Sequence, residues 1–319
     1  MFYRGRRLRK NHVIRGLMRE HALSAQDLIY PLFLMEGLSG KQEVSSMPGV
    51  YQYGLDALEE VVKELKEAGI RAVILFGIPQ HKDCMGTSAY HEHGIIQEGI
   101  KKLKELDEEL YLIGDVCMCE YTDHGHCGIL NEQGVVQNDV TLEYLNKIAL
   151  SYAEAGIDMI APSDMMDGHI ASLRNALDEH GYYDLPIMGY SAKYASNYYG
   201  PFREAAHSAP GFGDRKSYQM DYGNGKEALR EIEADIQEGA DIIMIKPALA
   251  YMDVIKEASQ RFDYPICAYN VSGEYSMLKL AVKNGLMKEE VIYETLLSLK
   301  RAGADLIITY FALEIAKKL

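Results

Sequence analysis

Three cysteines lie close together in a glycine-containing segment, and their thiolates are typical metal ligands. Cys117, Cys119 and Cys127 fall within eleven residues. Soft thiolates suit zinc, and three of them with a fourth position free is the arrangement of catalytic rather than structural zinc sites. His124 and His126 lie in the same segment and would make the site structural if either completed it. The sequence predicts a zinc site, and the alternative is three inert buried thiols.

Two lysines end runs of apolar residues that we predict to be adjacent buried strands. They are Lys193, at the end of residues 186–193, and Lys246. Burial removes the hydration of an ammonium, and two neighbouring ammoniums repel each other, so both effects lower the pKa. Each amine would then be a neutral nucleophile able to form a Schiff base with a ketone. The alternative pairs each lysine with a carboxylate such as Asp164 or Asp241.

Residues 194–225 form a connection of about thirty residues, rich in glycine and proline, that follows Lys193 directly. A connection of that length in a compact domain is usually an active-site lid, although a mobile polar loop is the alternative. Arg203, Arg215 and Lys216 are cations suited to binding a substrate carboxylate when the lid closes. Hydroxyl groups follow the last two predicted strands at Ser272 and Tyr310 and are weaker candidates for a second carboxylate.

The elements that must position these residues repeat one pattern: a helix end, a glycine and an apolar run. It occurs in the segments 67–76, 154–161, 238–246 and 301–310. Glycine ends helices in the left-handed conformation, and apolar runs without alternation are typical of strands buried on both faces. Further strands are predicted at 30–35, 111–116, 185–189 and 266–269, and helices at 55–68, 95–106, 141–155, 169–179, 226–237, 252–261, 276–284 and 289–302.

Eight buried strands alternating with helices predict one (β/α)₈ TIM barrel over residues 26–319, preceded by an N-terminal arm at 1–25. A doubly wound open sheet is the alternative. It is disfavoured because no Gly-x-Gly-x-x-Gly phosphate loop follows the first strand. In a barrel the carboxyl ends of the strands carry the chemistry, which is where the cysteines, lysines and hydroxyls above fall.

The charge balance excludes some partners. Thirty-three Lys and Arg against forty-seven Asp and Glu give a net charge of −14, which disfavours nucleic acid as the main partner. The exception is residues 4–19, where basic side chains predict either a solvated tail or an arm that docks on a neighbouring subunit. No apolar run is long enough for a membrane helix, and no secretory signal is recognisable. Together with the clustered cysteines, these features favour a cytoplasmic protein.

Taken together, the motifs resemble the porphobilinogen synthase family, also called the 5-aminolevulinate dehydratase family. The resemblance runs over essentially the whole chain. The segments that carry it are 115–127, 161–168, 190–193, 199–203, 213–215, 244–247, 271–274 and 308–310. Each motif alone is only modest evidence for the family, whereas their joint order along the chain is highly specific for it.

This resemblance implies that two molecules of 5-aminolevulinate condense to porphobilinogen with loss of two waters, in tetrapyrrole biosynthesis. It implies a Schiff base at Lys246 with the first-bound substrate and a second lysine at Lys193. It also implies a zinc-dependent member with the three cysteines as ligands. The residues implied for the substrate carboxylates are Ser272 and Tyr310 for one, and Arg203 and Arg215, with Gln219, for the other.

Some members of the family bind an allosteric magnesium through a glutamate, and Glu231 stands at the matching place. The family is typically a homo-octamer whose N-terminal arm wraps a neighbouring barrel. Two other functions are compatible with the residues. One is a Schiff-base aldolase with Lys246 as its only nucleophile and a structural zinc, and the other is a non-catalytic zinc-binding assembly protein.

Overall fold

The computed structural model of the chain describes residues 2–319. Ten strands form a single sheet: β1 Leu28–Met35, β2 Lys41–Glu43, β3 Tyr51–Tyr53, β4 Ala72–Ile78, β5 Tyr111–Val116, β6 Met159–Pro162, β7 Met188–Lys193, β8 Ile242–Lys246, β9 Ile266–Asn270 and β10 Leu306–Thr309. Eight of them are almost entirely buried; β2 is exposed and β3 is a short strand beside it.

The eight buried strands form a parallel barrel. Their order is β6-β5-β4-β1-β10-β9-β8-β7. The first and last strands in the chain are therefore neighbours, with Leu28 opposite Ile307. A single bridge between Ile160 of β6 and Ile187, the residue before β7, closes the ring. The predicted TIM barrel is confirmed, and the doubly wound sheet is wrong.

The helices are α1 His12–Leu17, α2 Leu58–Ala68, α3 Ile95–Leu106, α4 Asn138–Ala155, α5 His169–Glu179, α6 Gly200–Ala205, α7 Gly225–Glu238, α8 Met252–Arg261, α9 Ser272–Lys283, α10 Glu290–Ala302 and α11 Ala312–Ala316. Most of them cover the outside of the barrel, whereas α1 lies in the N-terminal segment and α6 within residues 194–225. The four glycines of the repeated pattern follow α2, α4, α7 and α10. Their φ angles of 74°, 93°, 108° and 124° are positive. Only glycine adopts such angles without strain, which explains the repeat.

Two predicted elements have a boundary that differs from the structure by four residues. The strand predicted at 185–189 is β7, which begins at Met188 and continues to Lys193; Pro186 lacks the N–H that a central strand needs. The helix predicted at 276–284 is α9, which begins four residues earlier at Ser272 because Glu274 accepts a hydrogen bond from the backbone N–H of Val271. Neither β2, β3 nor α6 was predicted, because these short elements have no apolar period.

Residues 194–225 (the 194–225 connection) pack against the mouth of the barrel, which is the end where the carboxyl ends of its strands lie. They contain α6 and are bonded to the barrel at both ends. The backbone N–H of Tyr194 donates to the carbonyl of Lys246, and that of Met220 donates to the carbonyl of Lys193, at 3.0 and 3.1 Å. The Gln52 side chain of β3 donates to the carbonyl of Ala205 at 2.6 Å. The connection is therefore held against the strand ends that carry the two lysines.

The first twenty residues described lie outside the barrel. A 3₁₀ turn at Gly5–Arg9 and helix α1 contain no buried residue. Large apolar side chains are exposed there, including Phe2, Tyr3 and Leu17. Among residues 2–319, no helix combines the length and the apolar character that crossing a bilayer requires.

Candidate active site

Lys193 and Lys246 face each other at the ends of two adjacent strands. They are direct partners in the register of β7 and β8. Their side chains are buried, with 4% and 5% of their surface exposed. Their amines lie 5.4 and 5.0 Å from the centre of the same Tyr190 ring. The two predicted nucleophiles therefore share one interior space.

Aromatic rings surround the Lys246 amine. Besides Tyr190, the ring centres of Tyr269, Phe202 and Tyr199 lie 4.3, 5.1 and 5.3 Å from its Nζ. Burial and the neighbouring charge of Lys193 lower the pKa of Lys246 to about 7. An amine with this pKa is substantially neutral near physiological pH and can attack a ketone.

The Lys193 amine has a different environment. Burial lowers its pKa, but the negative charges of the three cysteines and Asp115 outweigh burial and raise the pKa above its ordinary value. Its Nζ donates a hydrogen bond to the carbonyl of Ser163. The pKa of Lys246 is therefore lowered, as expected for both amines, whereas the pKa of Lys193 is raised, because the neighbouring cysteines and Asp115 oppose the effect of burial.

The carboxylates considered as partners of the lysines are engaged elsewhere. Asp164 accepts a hydrogen bond from Nδ1 of His169, 2.9 Å away. Asp241 accepts the backbone N–H of Ile187 at 2.8 Å. Within residues 2–319, neither Lys193 nor Lys246 forms a salt bridge. Ordinary ion pairing therefore does not explain why two lysines are buried here.

The three cysteines form a compact cluster. The Sγ atoms of Cys117, Cys119 and Cys127 all lie within 4.8 Å of one another, and all three side chains are buried. The Sγ atoms of Cys117 and Cys119 are 3.5 Å apart. Within residues 2–319 this is the only group of three or more Cys, His, Asp or Glu side chains with such spacing. The donor set fits a metal ion with a preference for sulfur.

The two histidines of the cysteine loop do not join this cluster. Nδ1 of His126 lies 3.1 Å from the Tyr218 hydroxyl, and its Nε2 lies 3.1 Å from the carbonyl of Phe212. Nδ1 of His124 accepts the backbone N–H of His126. The structure thus brings three sulfur atoms together without a ring nitrogen of either histidine.

The 194–225 connection places polar side chains beside the cysteine loop. Arg215 is buried, and one of its terminal nitrogens donates to the carbonyl of Gly125 at 2.9 Å. The Nε atoms of Arg203 and Arg215 and both amide atoms of Gln219 are buried without a partner among residues 2–319. Lys216, in contrast, pairs with Asp214, and 68% of its side chain is exposed. Buried polar atoms normally have a hydrogen-bond partner, so these side chains are available to bind a polar group.

Ser272 and Tyr310 lie on the opposite part of the mouth, at the ends of β9 and β10. Both side chains are buried. The Ser272 hydroxyl accepts the backbone N–H of Phe202 at 2.9 Å, and the Tyr310 hydroxyl lies 3.1 Å from that of Tyr269. The structure therefore places these two hydroxyls near the rings that surround Lys246.

Glu231 lies outside the mouth, on α7. It lines a cavity of about 430 Å³ together with Asp167 and Glu227. Burial raises the pKa of Glu231, and the charges of Asp167, Asp235 and Glu227 add to this effect. Its surroundings are acidic, and Gln219 of the 194–225 connection lines the same cavity.

Several residues of the mouth were not predicted. Tyr190, Tyr199, Phe202 and Tyr269 surround Lys246, and Asp115 accepts the Ser163 hydroxyl at 3.0 Å beside Lys193. Tyr190 could have been identified from the sequence, because it precedes Lys193 by three residues in a predicted buried run. The other rings come from distant segments, so their meeting depends on the closed barrel.

Comparison with known proteins identifies the family. A family model described as "Delta-aminolevulinic acid dehydratase" matches residues 2–318. Relatives with that same name are 54% identical in Methanothermus sociabilis, covering 100% of this chain and 99% of the relative, and 53% identical in Bacillus subtilis, covering 99% and 98%. A third, from Synechococcus elongatus, is 56% identical, with coverages of 99% and 98%.

A solved structure agrees with these relatives. It is the delta-aminolevulinic acid dehydratase (porphobilinogen synthase) of Toxoplasma gondii in complex with the reaction product porphobilinogen. Its TM-score to this chain is 0.98 at 42% sequence identity, and the match covers 100% of this chain and 92% of that one. The resemblance found in the sequence motifs is confirmed, and the chain belongs to the delta-aminolevulinic acid dehydratase family.

Proposed function

We propose that this enzyme condenses two molecules of 5-aminolevulinate into porphobilinogen through the amines of Lys246 and Lys193, with loss of two waters. The observation that carries this proposal is the direct pairing of the two lysines at the ends of β7 and β8, over one tyrosine ring. Two buried amines without salt-bridge partners are expensive for a structure to maintain, and their proximity suits a reaction that joins two ketones.

Lys246 is the first nucleophile in this proposal. Its neutral amine attacks the ketone carbon of one substrate, and loss of water gives an iminium between Nζ and that carbon. The iminium makes the neighbouring C–H bond acidic and the carbon electrophilic. The pKa of about 7 supports the assignment, because an appreciable fraction of the amine is unprotonated at neutral pH.

Lys193 serves the other substrate, beside the cysteine cluster. A zinc ion held by Cys117, Cys119 and Cys127 would act as a Lewis acid toward a substrate oxygen and would balance the thiolate charge that faces Lys193. The cysteines and Asp115 raise the pKa of Lys193, and a bound zinc ion would act in the opposite direction. The Ser163 carbonyl accepts a hydrogen bond from the Lys193 amine and so fixes the direction in which that amine points.

Two sets of polar groups hold the substrate carboxylates. Arg203, Arg215 and Gln219 bind one of them, which would supply the partners that their buried nitrogens lack. Ser272 and Tyr310 bind the other at the ends of β9 and β10. Holding both substrates in one orientation turns a bimolecular coupling into an effectively intramolecular one, worth ~7–11 kcal/mol of barrier in favourable cases.

The 194–225 connection acts as a lid. Its packing over the strand ends would exclude water, which matters because imines hydrolyse. Opening and closing of this segment would admit substrates and release porphobilinogen.

Assembly and regulation complete the proposal. The exposed apolar and basic side chains of residues 2–25 fit an arm that packs on a neighbouring barrel in a homo-octamer. Glu231 would hold an allosteric magnesium mostly through water, because magnesium retains several waters and only a few protein ligands. The five free cysteines fit a reducing cytoplasm.

Reductive trapping tests the proposal. The enzyme with zinc is incubated with 5-aminolevulinate and borohydride, digested, and mapped by mass spectrometry. A stable adduct on Lys246, Lys193 or both is expected, together with formation of porphobilinogen from untrapped enzyme. The proposal would be rejected if neither lysine were labelled.

A further inference from the structure

Three polar side chains form a buried network across the ends of β8, β9 and β10. Glu274, Asn270 and Thr309 have no exposed surface. These are the strand ends that carry Lys246, Ser272 and Tyr310. Burying a carboxyl group there is costly unless every acceptor atom is used, and the network contains no unpartnered atom of these three side chains.

Glu274 accepts three N–H groups. Its Oε1 accepts the backbone N–H of Leu249 at 2.8 Å. Its Oε2 accepts the Asn270 side-chain amide at 2.9 Å and the backbone N–H of Val271 at 3.1 Å. All three partners are donors, so the position requires a group that only accepts, and a glutamine would place its own N–H₂ against one of them. Burial raises the pKa of Glu274, whereas the hydrogen bonds that its carboxylate accepts lower it.

These contacts exceed what helix capping needs. The bond to Val271 alone caps α9, whereas the bond to Leu249 reaches the segment after β8. Backbone pairing between β8 and β9 ends at Ile245 opposite Ala268, one residue before Lys246. Beyond that point Glu274 connects the two strand ends in place of the backbone ladder.

The network continues to β10. The Thr309 hydroxyl donates to the Asn270 side-chain oxygen at 2.9 Å and accepts the backbone N–H of Phe311 at 3.2 Å. Thr309 and Asn270 are also direct partners in the strand register. Tyr310 lies between Thr309, whose hydroxyl donates to Asn270, and Phe311, whose backbone N–H donates to Thr309.

We propose that Glu274, Asn270 and Thr309 are positioning residues that fix Lys246, Ser272 and Tyr310 relative to one another. None of the three is assigned a contact with substrate. The inference rests on the proposed function, which gives the nucleophile and one carboxylate site to the residues so positioned. Loss of the network would misplace the amine relative to the carboxylate-binding hydroxyls, and small misplacements are costly in catalysis.

The test compares four variants with the wild-type zinc-loaded enzyme. Thr309→Val removes the hydroxyl at nearly constant volume, and Thr309→Ser retains it. Glu274→Gln removes one acceptor. Leu299→Ala is the control, because Leu299 is fully buried on α10, near the opposite end of the barrel. The measurements are kcat and KM for 5-aminolevulinate, the rate of trapping at Lys246, and the melting temperature.

We expect Thr309→Val and Glu274→Gln to lower kcat/KM and the trapping rate at least tenfold, and Thr309→Ser to remain within about threefold of wild type. Leu299→Ala should melt earlier with kcat/KM nearly unchanged. The inference is overturned if Thr309→Val melts earlier but keeps its kcat/KM, or if Thr309→Ser is as impaired as Thr309→Val. If Glu274→Gln does not fold, the Thr309 pair decides. Failure of the wild-type enzyme to trap substrate would instead refute the proposed function.

Discussion

Lys193 and Lys246 are partners across one strand pair and lie over the same Tyr190 ring, yet the pKa values of their amines shift in opposite directions. The difference arises from what lies on the far side of each amine. Lys246 is surrounded by four aromatic rings and repelled by Lys193, whereas all three cysteines oppose burial at Lys193; the charge of Asp115 acts on both amines. One strand pair thus places one amine among aromatic rings and the other beside the cysteine cluster.

The first prediction concerns pH. Because protonated amine cannot attack, trapping at Lys246 should rise as pH increases through about 7. Lys193→Met removes a neighbouring positive charge, so the pKa of Lys246 should increase and the midpoint should move to higher pH. The measurement is the pH profile of adduct formation at Lys246. Lys300→Met, at a lysine paired with Asp27, is the control and should keep the wild-type midpoint. An identical midpoint in Lys193→Met would contradict the assigned coupling.

Metal dependence gives the second prediction. Cys119→Ala removes one of three sulfur ligands and should abolish both stoichiometric zinc binding and turnover. Zinc content is measured after dialysis against a chelator, alongside porphobilinogen formation. Cys84→Ala is the matched control, because Cys84 is exposed and outside the cluster. Full activity of Cys119→Ala in metal-free buffer would refute a catalytic metal at this cluster.

The third prediction compares two cations of the 194–225 connection. Arg203→Met should raise KM about ten- to a hundredfold, because a charge-assisted hydrogen bond to a carboxylate is worth about 1.5–3 kcal/mol. Lys216→Met should leave KM unchanged, since that side chain points into solvent. Steady-state kinetics with 5-aminolevulinate separate the two. Equal effects of both substitutions would show that general charge, rather than a specific contact, binds the substrate.

The fourth prediction concerns the arm. Deletion of residues 1–20 should lower the sedimentation coefficient, because it removes the exposed apolar and basic side chains that we assign to an intersubunit contact. The melting temperature of the barrel itself should change little at protein concentrations where both forms are monomeric. An unchanged sedimentation profile would exclude this role for the arm.

The fifth prediction concerns magnesium. Glu231→Gln should abolish stimulation of turnover by added Mg²⁺ while retaining zinc content. Glu233→Gln is the control, because Glu233 lies on the same helix but pairs with Arg261. Magnesium titrations at fixed zinc concentration provide the measurement. Stimulation that persists in Glu231→Gln would place the ion elsewhere.

Much of the fold could be predicted from local signals. Glycines such as Gly69 and Gly156 end helices at positive φ, and the apolar runs after them are buried strands, so the repeating unit is visible in the sequence. Lys193 and Lys246 stood out because charged residues rarely end buried runs. These signals depend only on residues near each other in the chain.

What could not be predicted depends on contacts between distant segments. The ring of Tyr269 and the ring of Phe202 meet at Lys246 although β9 and α6 are far apart in sequence. The raised pKa of Lys193 likewise requires knowing that the cysteines lie beside it and that their charge outweighs burial. Residue type in the sequence indicates which side chains belong to the candidate site. The direction of each pKa shift depends on which distant segments the closed barrel brings together.

Two of the four rings around Lys246, those of Tyr199 and Phe202, belong to the 194–225 connection rather than to the barrel. If that segment opens as the proposed lid, water would return to the amine and its pKa would rise. The Lys246 amine would then be a weaker nucleophile in the open enzyme than in the closed one. Closure would in that case restrict reaction at the lysine to ketones that the closed site can hold.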